Sequence, residues 1–471
     1  MAVLWSSSRD VHLDWQPGSG QRGLAEAIRR AIRSGRLETG TALPSTRALA
    51  EDLGVARGTV TKAYNQLAAE GYLRTTQGAP TRVAAIAAPQ ASPARPRPGS
   101  EEPADARWSL LPGRPDLAAF PRAEWLAATR KVLQQAPPDV FGYTDDLGAP
   151  ALRTALASYL ARSRGVVTDP DRILVCGGFA QAISVLAAAL HHQGVHEMAF
   201  EDPSLHRFRN LAAAAGQRIA GVPVDGAGLR VSELDSPAAV VTPAHQFPLG
   251  VTLAPERRAE LARWVTSSGA FAVEDDYDGE FRFDREPVGA LQSLAPERFI
   301  YAGTASKTLA PALRLGWLVL PRALVEPVRA AMADRGSRPP ALGQHVLAEM
   351  LESGKYDQHV RRRRTVYRNR RDRLLSLLPR PLQPSGISAG LHLLVPLPAA
   401  GPDEAAVLDH ARRHSLALET LRNTWISPGP HPQGIVVGYA APADHAFTPA
   451  IDALMATLRD AGVRWSPPSE S

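Results

Sequence analysis

Apolar positions in the first seventy residues recur with a helical period. Leu24, Ile28 and Ile32 fall at i, i+4 and i+8, and Gly35 ends that run. Ser45 stands where an N-cap would open a second helix over Thr46–Leu53, closed by Gly54. Val60, Tyr64 and Leu67 mark one face of a third, which starts near Arg57-Gly58-Thr59 and stops at Gly71. Two short strand-like triplets, 72–74 and 81–83, then flank Gln77-Gly78-Ala79-Pro80, a turn composition. The pattern predicts three short helices and a hairpin within residues 1–85.

Over residues 86–107 the periodicity disappears. Prolines at 89, 93, 96, 98 and 103 mark a semi-extended linker. From residue 108 short buried-strand patterns, at 172–176, 197–200, 238–242, 270–273, 299–302 and 315–320, alternate with Ala-rich helical ones. That alternation predicts a doubly wound α/β architecture with a mostly parallel sheet. After about residue 340 come a long basic helix and two more strands, at 391–395 and 435–439, which suit a smaller α+β part. The expected domains are therefore 1–85, a linker 86–107, and 108–471, the last with a large part to about 340 and a small part from about 341.

A chain of 471 residues exceeds one core, in line with that division. The formal charge is +6, and residues 1–85 hold 11 Lys/Arg against 7 Asp/Glu, so most of the excess sits in the first fifth. A polyanionic partner for that segment is the physical expectation. The single cysteine, Cys176, excludes an intrachain disulfide and a Cys-clustered zinc site; it reads as a core residue, and no metal is expected. The N-terminus has no signal-peptide pattern, and no apolar run reaches the roughly 18 residues of a membrane span, so a cytoplasmic protein is expected.

In the N-terminal segment the candidate chemistry sits at helix starts. Ser45, Thr46 and Arg47 offer hydroxyls and free amides to a phosphate. Arg57, Thr59 and Lys62 occupy the start of the third helix, where a recognition helix reads bases. The stretch 35–73, from Gly-Arg-Leu-Glu-Thr-Gly to Glu-Gly-Tyr-Leu, resembles the winged helix-turn-helix of the GntR regulators. The resemblance implies double-stranded operator DNA as a partner.

In the remainder, lysine is scarce: it occurs only at 62, 131, 307 and 355. Lys307 lies in the largely uncharged run Tyr-Ala-Gly-Thr-Ala-Ser-Lys-Thr-Leu, and a desolvated lysine traps carbonyls where an arginine cannot. Gly177-Gly178-Phe179-Ala180 joins a strand to a helix and presents amides to an anion. Glu274-Asp275-Asp276-Tyr277 ends a strand, where open α/β sheets bind ligands. Thr242-Pro243-Ala244-His245 follows another. Arg314 is seven residues beyond Lys307, a spacing that two helical turns would align. An anion cradle, an imine-forming amine and a carboxylate for a pyridinium nitrogen suit pyridoxal 5′-phosphate.

With these motifs, residues 108–471 resemble fold type I aminotransferases, and the whole chain resembles the MocR subgroup of GntR regulators. The resemblance implies that Lys307 forms the Schiff base, Asp275 pairs with the pyridine nitrogen, and Tyr277 bonds the ring hydroxyl near His245. It implies that the amides of Gly178, Phe179 and Ala180, with Thr304, Ser306 and Arg314, hold the phosphate. Tyr143 looks like the tyrosine that reaches the partner subunit's phosphate, which implies a homodimer. Other charged residues have plainer readings. Asp276 and Asp278 read as solvated or structural, His191 and His192 as helix caps, and His359 as structural. The basic run 361–373 reads as a solvated, salt-bridged face or as a DNA contact.

Two departures bear on function. Where the family often stacks an aromatic on the ring, this chain has Leu205 and His206. Where aminotransferases place an arginine for the substrate carboxylate, residues 427–435 contain none, and Arg422 is the nearest. The expectation is a regulator that senses the cofactor itself, or an amino compound, without net transamination, and that controls a vitamin B6 biosynthesis or salvage gene. The competing readings are a working aminotransferase with an autoregulatory DNA-binding module, and a regulator that has lost the cofactor.

Overall fold

The computed structural model describes residues 13, 15, 18–76, 79–85, 106–143, 145–283, 288–336, 339–379, 382–384 and 386–463. Almost all of the expected linker, and Gln77 and Gly78 of the hairpin turn, lie outside these residues. The chain divides into two units, Met1–Ser100 and Glu101–Ser471.

In the first unit, Gly20–Arg33 (α1) buries Leu24, Ala27, Ile28 and Ala31. Ile32 is only half-buried, because the small Ala25, Ala27 and Ala31 let the neighbouring helix approach a face rotated from the one its period marks. Thr46–Leu53 (α2) is capped by Ser45, whose Oγ accepts from the Ala48 amide at 3.1 Å, and ends at Gly54 with φ +64°. Arg57–Ala69 (α3) buries Val60, Ala63, Tyr64 and Leu67 against both. The Tyr64 hydroxyl donates to the Pro44 carbonyl at 3.0 Å, fixing the loop ahead of α2. Leu73–Arg74 (β1) and Arg82–Val83 (β2) pair antiparallel as the expected hairpin.

The second unit opens with Trp108–Ser109 (β3), Arg122–Gln135 (α4) and Pro150–Arg164 (α5). Then come Ile173–Cys176 (β4), Phe179–His192 (α6), Glu197–Asp202 (β5), His206–Ala214 (α7), Arg218–Asp225 (β6), Gly228–Leu229 (β7) and Ala238–Val241 (β8). Pro255–Ser268 (α8), Phe271–Asp275 (β9), Phe299–Thr304 (β10), Gly316–Val319 (β11) and Arg322–Asp334 (α9) complete the large sheet and its helices. The strand order is β4-β11-β10-β9-β8-β5-β6-β7. β10, β9, β8, β5 and β6 run parallel, while β11 is antiparallel between β10 and β4. Side chains alternate across it: Ile173 and Val175 face α4 and α5, whereas Leu174 and Cys176 face α6 and α9. The period-2 signal is hidden in the sequence because both faces are buried and both sets are apolar.

Ala341–Glu352 (α10) and Lys355–Leu377 (α11) follow, then Leu393–Pro396 (β12), Glu404–Arg413 (α12), Leu416–Ala417 (β13), Glu419–Thr420 (β14), Gly434–Val437 (β15) and Asp444–Asp460 (α13). β12, β15 and β14 form a small antiparallel sheet, and β13 pairs with β3. The seam expected near residue 340 falls instead inside α11. Val346, Leu347, Tyr356 and Val360 join the α4–α5 core, and Tyr367 and Leu374 join the core under the small sheet.

The basic run on α11 is split between a solvated side, where Arg362 pairs with Glu124, and an internal side, which corrects its reading as one solvated face or DNA contact only for the arginines turned inward. Arg363 and Arg370 are buried on Asp116, and Arg370 also reaches Asp444 and the carbonyls of Ala440 and Pro442. Arg364 and Arg371 donate to the carbonyls of Glu280 and Ile387. Arg361, Arg362, Arg368 and Arg373 are exposed.

Candidate functional site

Parallel strands bring their carboxyl ends to one edge, where open α/β sheets bind ligands. Cys176, Asp202, Val241, Asp275 and Thr304 end β4, β5, β8, β9 and β10 there. The register sets Asp275 opposite Ala302, and Gly316, the first residue of β11, between Thr304 and Cys176. A Cβ on Gly316 would stand 2.8 Å from Gly178 Cα, so glycine at 316 is what lets β11 lie against the β4–α6 turn.

That turn has the build of an anion cradle. Gly178, at φ +96°, caps α6, and the first amides of a helix have no acceptor within it. The space beside Gly178 opens toward Ser306 Oγ and Arg314 Nη1, 3.8 and 3.9 Å from the position a Cβ would take. Thr304 Oγ1 donates to Ser306 Oγ at 2.9 Å and accepts from the Ser306 amide at 3.1 Å. Arg314 is not brought round by two helical turns, as its spacing suggested. A short 3-10 turn, Pro311–Leu313, ends in Arg314 at φ +53°, and this left-handed residue reverses the chain into β11. Amides, hydroxyls and a guanidinium thus converge as a phosphate requires.

Beside the cradle, Lys307 Nζ donates to the Gly113 carbonyl at 2.5 Å. Asp275 is buried; burial pushes its carboxyl well above the usual range, and the Lys307 charge opposes that shift. The Tyr277 hydroxyl donates to the His245 carbonyl at 3.0 Å and lies 3.2 Å from His245 Nδ1. Burial, then the charges of Asp278 and Asp275, raise the Tyr277 phenol, so it stays protonated. His245 Nδ1 is 2.9 Å from Asp278 Oδ2. Burial pushes the Glu201 carboxyl up to about 7, and it accepts from Thr242 and Gln246. Asp276 and Asp278, read as solvated or structural, are both buried, so neither is solvated: Asp276 binds Arg164 and Tyr301, and Asp278 faces His245.

Other singled-out residues lie elsewhere. Tyr143 is 100% exposed on this chain. His191 and His192 lie in the last turn of α6, as expected; the C-cap itself is Gln193, and His191 faces His196 with 3.1 Å between their Nδ1 atoms. His359 meets the Thr308 carbonyl at 2.9 Å, a structural role. Cys176 is buried, which pushes its thiol up to about 12. Leu205 precedes α7, and His206, its first residue, has a buried Nδ1 without a hydrogen-bond partner. Arg422 is exposed in a cleft with Asp403, Trp425 and His431. Sequence reasoning missed Gly113, Glu201 and His392, the last 4.7 Å ring to ring from His245. Only the fold brings them near, and no local motif marks them.

On the first unit, Arg57 opens α3 and Lys62 lies one turn and a half further; both are exposed, as are Ser45 and Arg47, while Thr46 and Thr59 are half-buried. Arg57 Nε lies 3.4 Å from Thr46 Oγ1, so the starts of α2 and α3 form one polar face. Arg57→Ala is expected to weaken specific operator binding by about 1–3 kcal/mol and to relax preference at one base pair. Lys62→Ala is expected to weaken all sequences alike and lower the slope of log K against log salt by about 1. Fluorescence anisotropy across a salt series separates the two.

A small winged helix-turn-helix followed by a fold type I aminotransferase scaffold defines a class of protein: a DNA-binding transcription regulator with an aminotransferase-like unit. Comparison with known proteins agrees. The model of bacterial regulatory proteins, gntR family, matches residues 21–83, and that of aminotransferase class I and II matches residues 115–424. The probable rhizopine catabolism regulatory protein MocR of Rhizobium meliloti is 34% identical, over 89% of this chain and 90% of its own. The HTH-type pyridoxine biosynthesis transcriptional regulator PdxR of Corynebacterium glutamicum is 32% identical, over 90% and 93%. Among solved structures, an archaeal alanine:glyoxylate aminotransferase shares the fold with TM-score 0.67 at 23% identity, over 75% of this chain and 91% of its own. The chain belongs to the MocR group of GntR-type transcription regulators. Among the described residues no helix is long and apolar enough to cross a membrane.

Proposed function

We propose that this regulator binds pyridoxal 5′-phosphate at the sheet edge and uses it as the effector that changes operator binding. Its targets would be genes of vitamin B6 synthesis or salvage, and its place the cytoplasm, where operators are. When bound, the cofactor supplies an electrophilic aldehyde carbon and a pyridine ring that draws electrons. Gly178, Phe179, Ala180, Thr304, Ser306 and Arg314 fit its phosphate. Lys307 presents the amine, Asp275 faces the ring nitrogen, and Tyr277 and His245 face the ring hydroxyl. Asp275 suits this: burial, with the charges of Asp276, Asp278 and Glu201, favours its protonated form, and a cationic ring nitrogen would take up that proton's role.

The observation that carries the choice of effector is the segment before β15. Asp202 accepts from the amides of Ile426 and Ser427, which pins this segment to the sheet edge. Yet residues 427–435 offer no arginine, and Val436 beyond them is fully buried in the small sheet. Arg422 turns to a separate cleft. An amino-acid carboxylate would lack its bidentate partner, so net transamination is not expected. The PdxR relative, a regulator of pyridoxine biosynthesis by its name, supports the same reading.

The working form would be a homodimer. Leu126 and Leu133 on α4, 59% and 51% exposed, Phe141 and the fully exposed Tyr143 leave an apolar surface on one chain, with Leu342 on the adjoining α10. Titrating the protein–operator complex with pyridoxal 5′-phosphate is expected to shift operator affinity, while amino acids alone do not. A shift with an amino acid and none with the cofactor, or steady turnover of an amino donor and a keto acid, would overturn the proposal. Sedimentation is expected to show a dimer under the same conditions.

A further inference from the structure

Beyond the anion cradle, the same sheet edge holds a buried trio that the reading above uses only in part. Asp278 follows β9, His245 follows β8, and His392 leads into β12 of the small sheet. One donor atom from each lies within 4.8 Å of the others. Their residue exposures are 2%, 3% and 1%.

The geometry points to a site for one transition-metal dication of the zinc type, held by His245, Asp278 and His392. His245 Nδ1 and Asp278 Oδ2 are 2.9 Å apart, the span of two ligands about 2.1 Å from one ion at a near-right angle. His392 supplies a second, independent sign. It is buried, and neither ring nitrogen makes a well-aligned hydrogen bond; the Pro248 carbonyl beside the ring serves one edge at most. An imidazole buried with an unserved nitrogen is rare without a ligand to occupy it. The backbone also keeps the three together. A Cβ on Gly390, at φ +79°, would stand 2.2 Å from His245 Nδ1 and 2.7 Å from Asp278 Oδ2. Glycine there is what lets the segment carrying His392 fold over the pair. Two imidazoles and one carboxylate suit zinc and its neighbours and leave a fourth position open. An ion held here would also fix the His245 ring that meets Tyr277.

The test uses untagged full-length protein, dialysed against a chelator and titrated with Co²⁺, then with Zn²⁺. One Co²⁺ per chain is expected, with visible absorption of a low-coordinate site that Zn²⁺ displaces. His392→Gln and Asp278→Asn are each expected to weaken binding at least about tenfold. The double variant His191→Ala/His196→Ala removes a surface imidazole pair that could itself take up added metal, and is expected to change nothing at this site. Absence of stoichiometric binding to the unaltered chain overturns the proposal without reference to any variant. So does binding that the surface double variant removes and His392→Gln leaves intact.

Discussion

Lys307→Ala is expected to abolish the visible absorption that pyridoxal phosphate gains on attachment to the protein, and with it any effect of the cofactor on operator affinity. Of the lysines, 62, 131, 307 and 355, Lys307 is the one placed at the sheet edge, with its amine held by the Gly113 carbonyl. Lys307→Arg is expected to fail in the same way, because a guanidinium stays protonated and does not add to an aldehyde. The phosphate cradle is intact in both variants, so the cofactor should still bind without attachment. Arg314→Ala separates the two functions. It removes one charged donor and should weaken cofactor binding by about 1.5–3 kcal/mol while leaving the absorption band at saturation. Operator binding without cofactor should be unchanged in all three, since none touches the first unit. A normal cofactor response in Lys307→Ala would rule out this sensing mechanism.

What the sequence disclosed, and what it hid, follows from where each contact is made. Ser45, Gly54 and the Val60–Tyr64–Leu67 face act within one or two turns of helix, so their local pattern sufficed. The strand runs showed because they are buried on both faces. β6 did not, because its faces are mostly half-exposed and Gly221 and Pro223 interrupt it. Asp275 and Lys307 were legible because each ends or follows a strand whose neighbours mark it. The antiparallel course of β11 was not, since alternation alone carries no direction. Arg363 and Arg370 of α11 misled for the opposite reason: a basic run reads as a wet face, and their buried partner Asp116 lies some 250 residues earlier in the chain. His392 reaches His245 only when the small sheet folds back over the large one, which no motif records.

Support for the site extends one layer further into the sheet, and there the largest loss of stability is expected. Arg164 at the end of α5 and Asp276 just beyond β9 form a bidentate buried pair, at 2.7 and 2.9 Å. Tyr301 donates to the same carboxylate at 2.7 Å, and Arg164 also donates to the Val288 carbonyl. Asp276→Leu would leave the Arg164 charge buried without its counter-ion, at a cost of about 3–5 kcal/mol. The double variant Arg164→Met/Asp276→Leu should cost less than either single one, because an apolar pair has no charge to strand. Asp276 sits between Asp275 and Tyr277, so the single variant should also lose cofactor absorption at temperatures where the first unit still binds operator. Thermal unfolding followed by cofactor absorption and by operator anisotropy reads both units in one sample, which a single melting temperature for a two-unit chain does not. A cost below about 1 kcal/mol for Asp276→Leu, or additive losses in the double variant, would show that Arg164 finds water or another partner and that the pair does not brace the site.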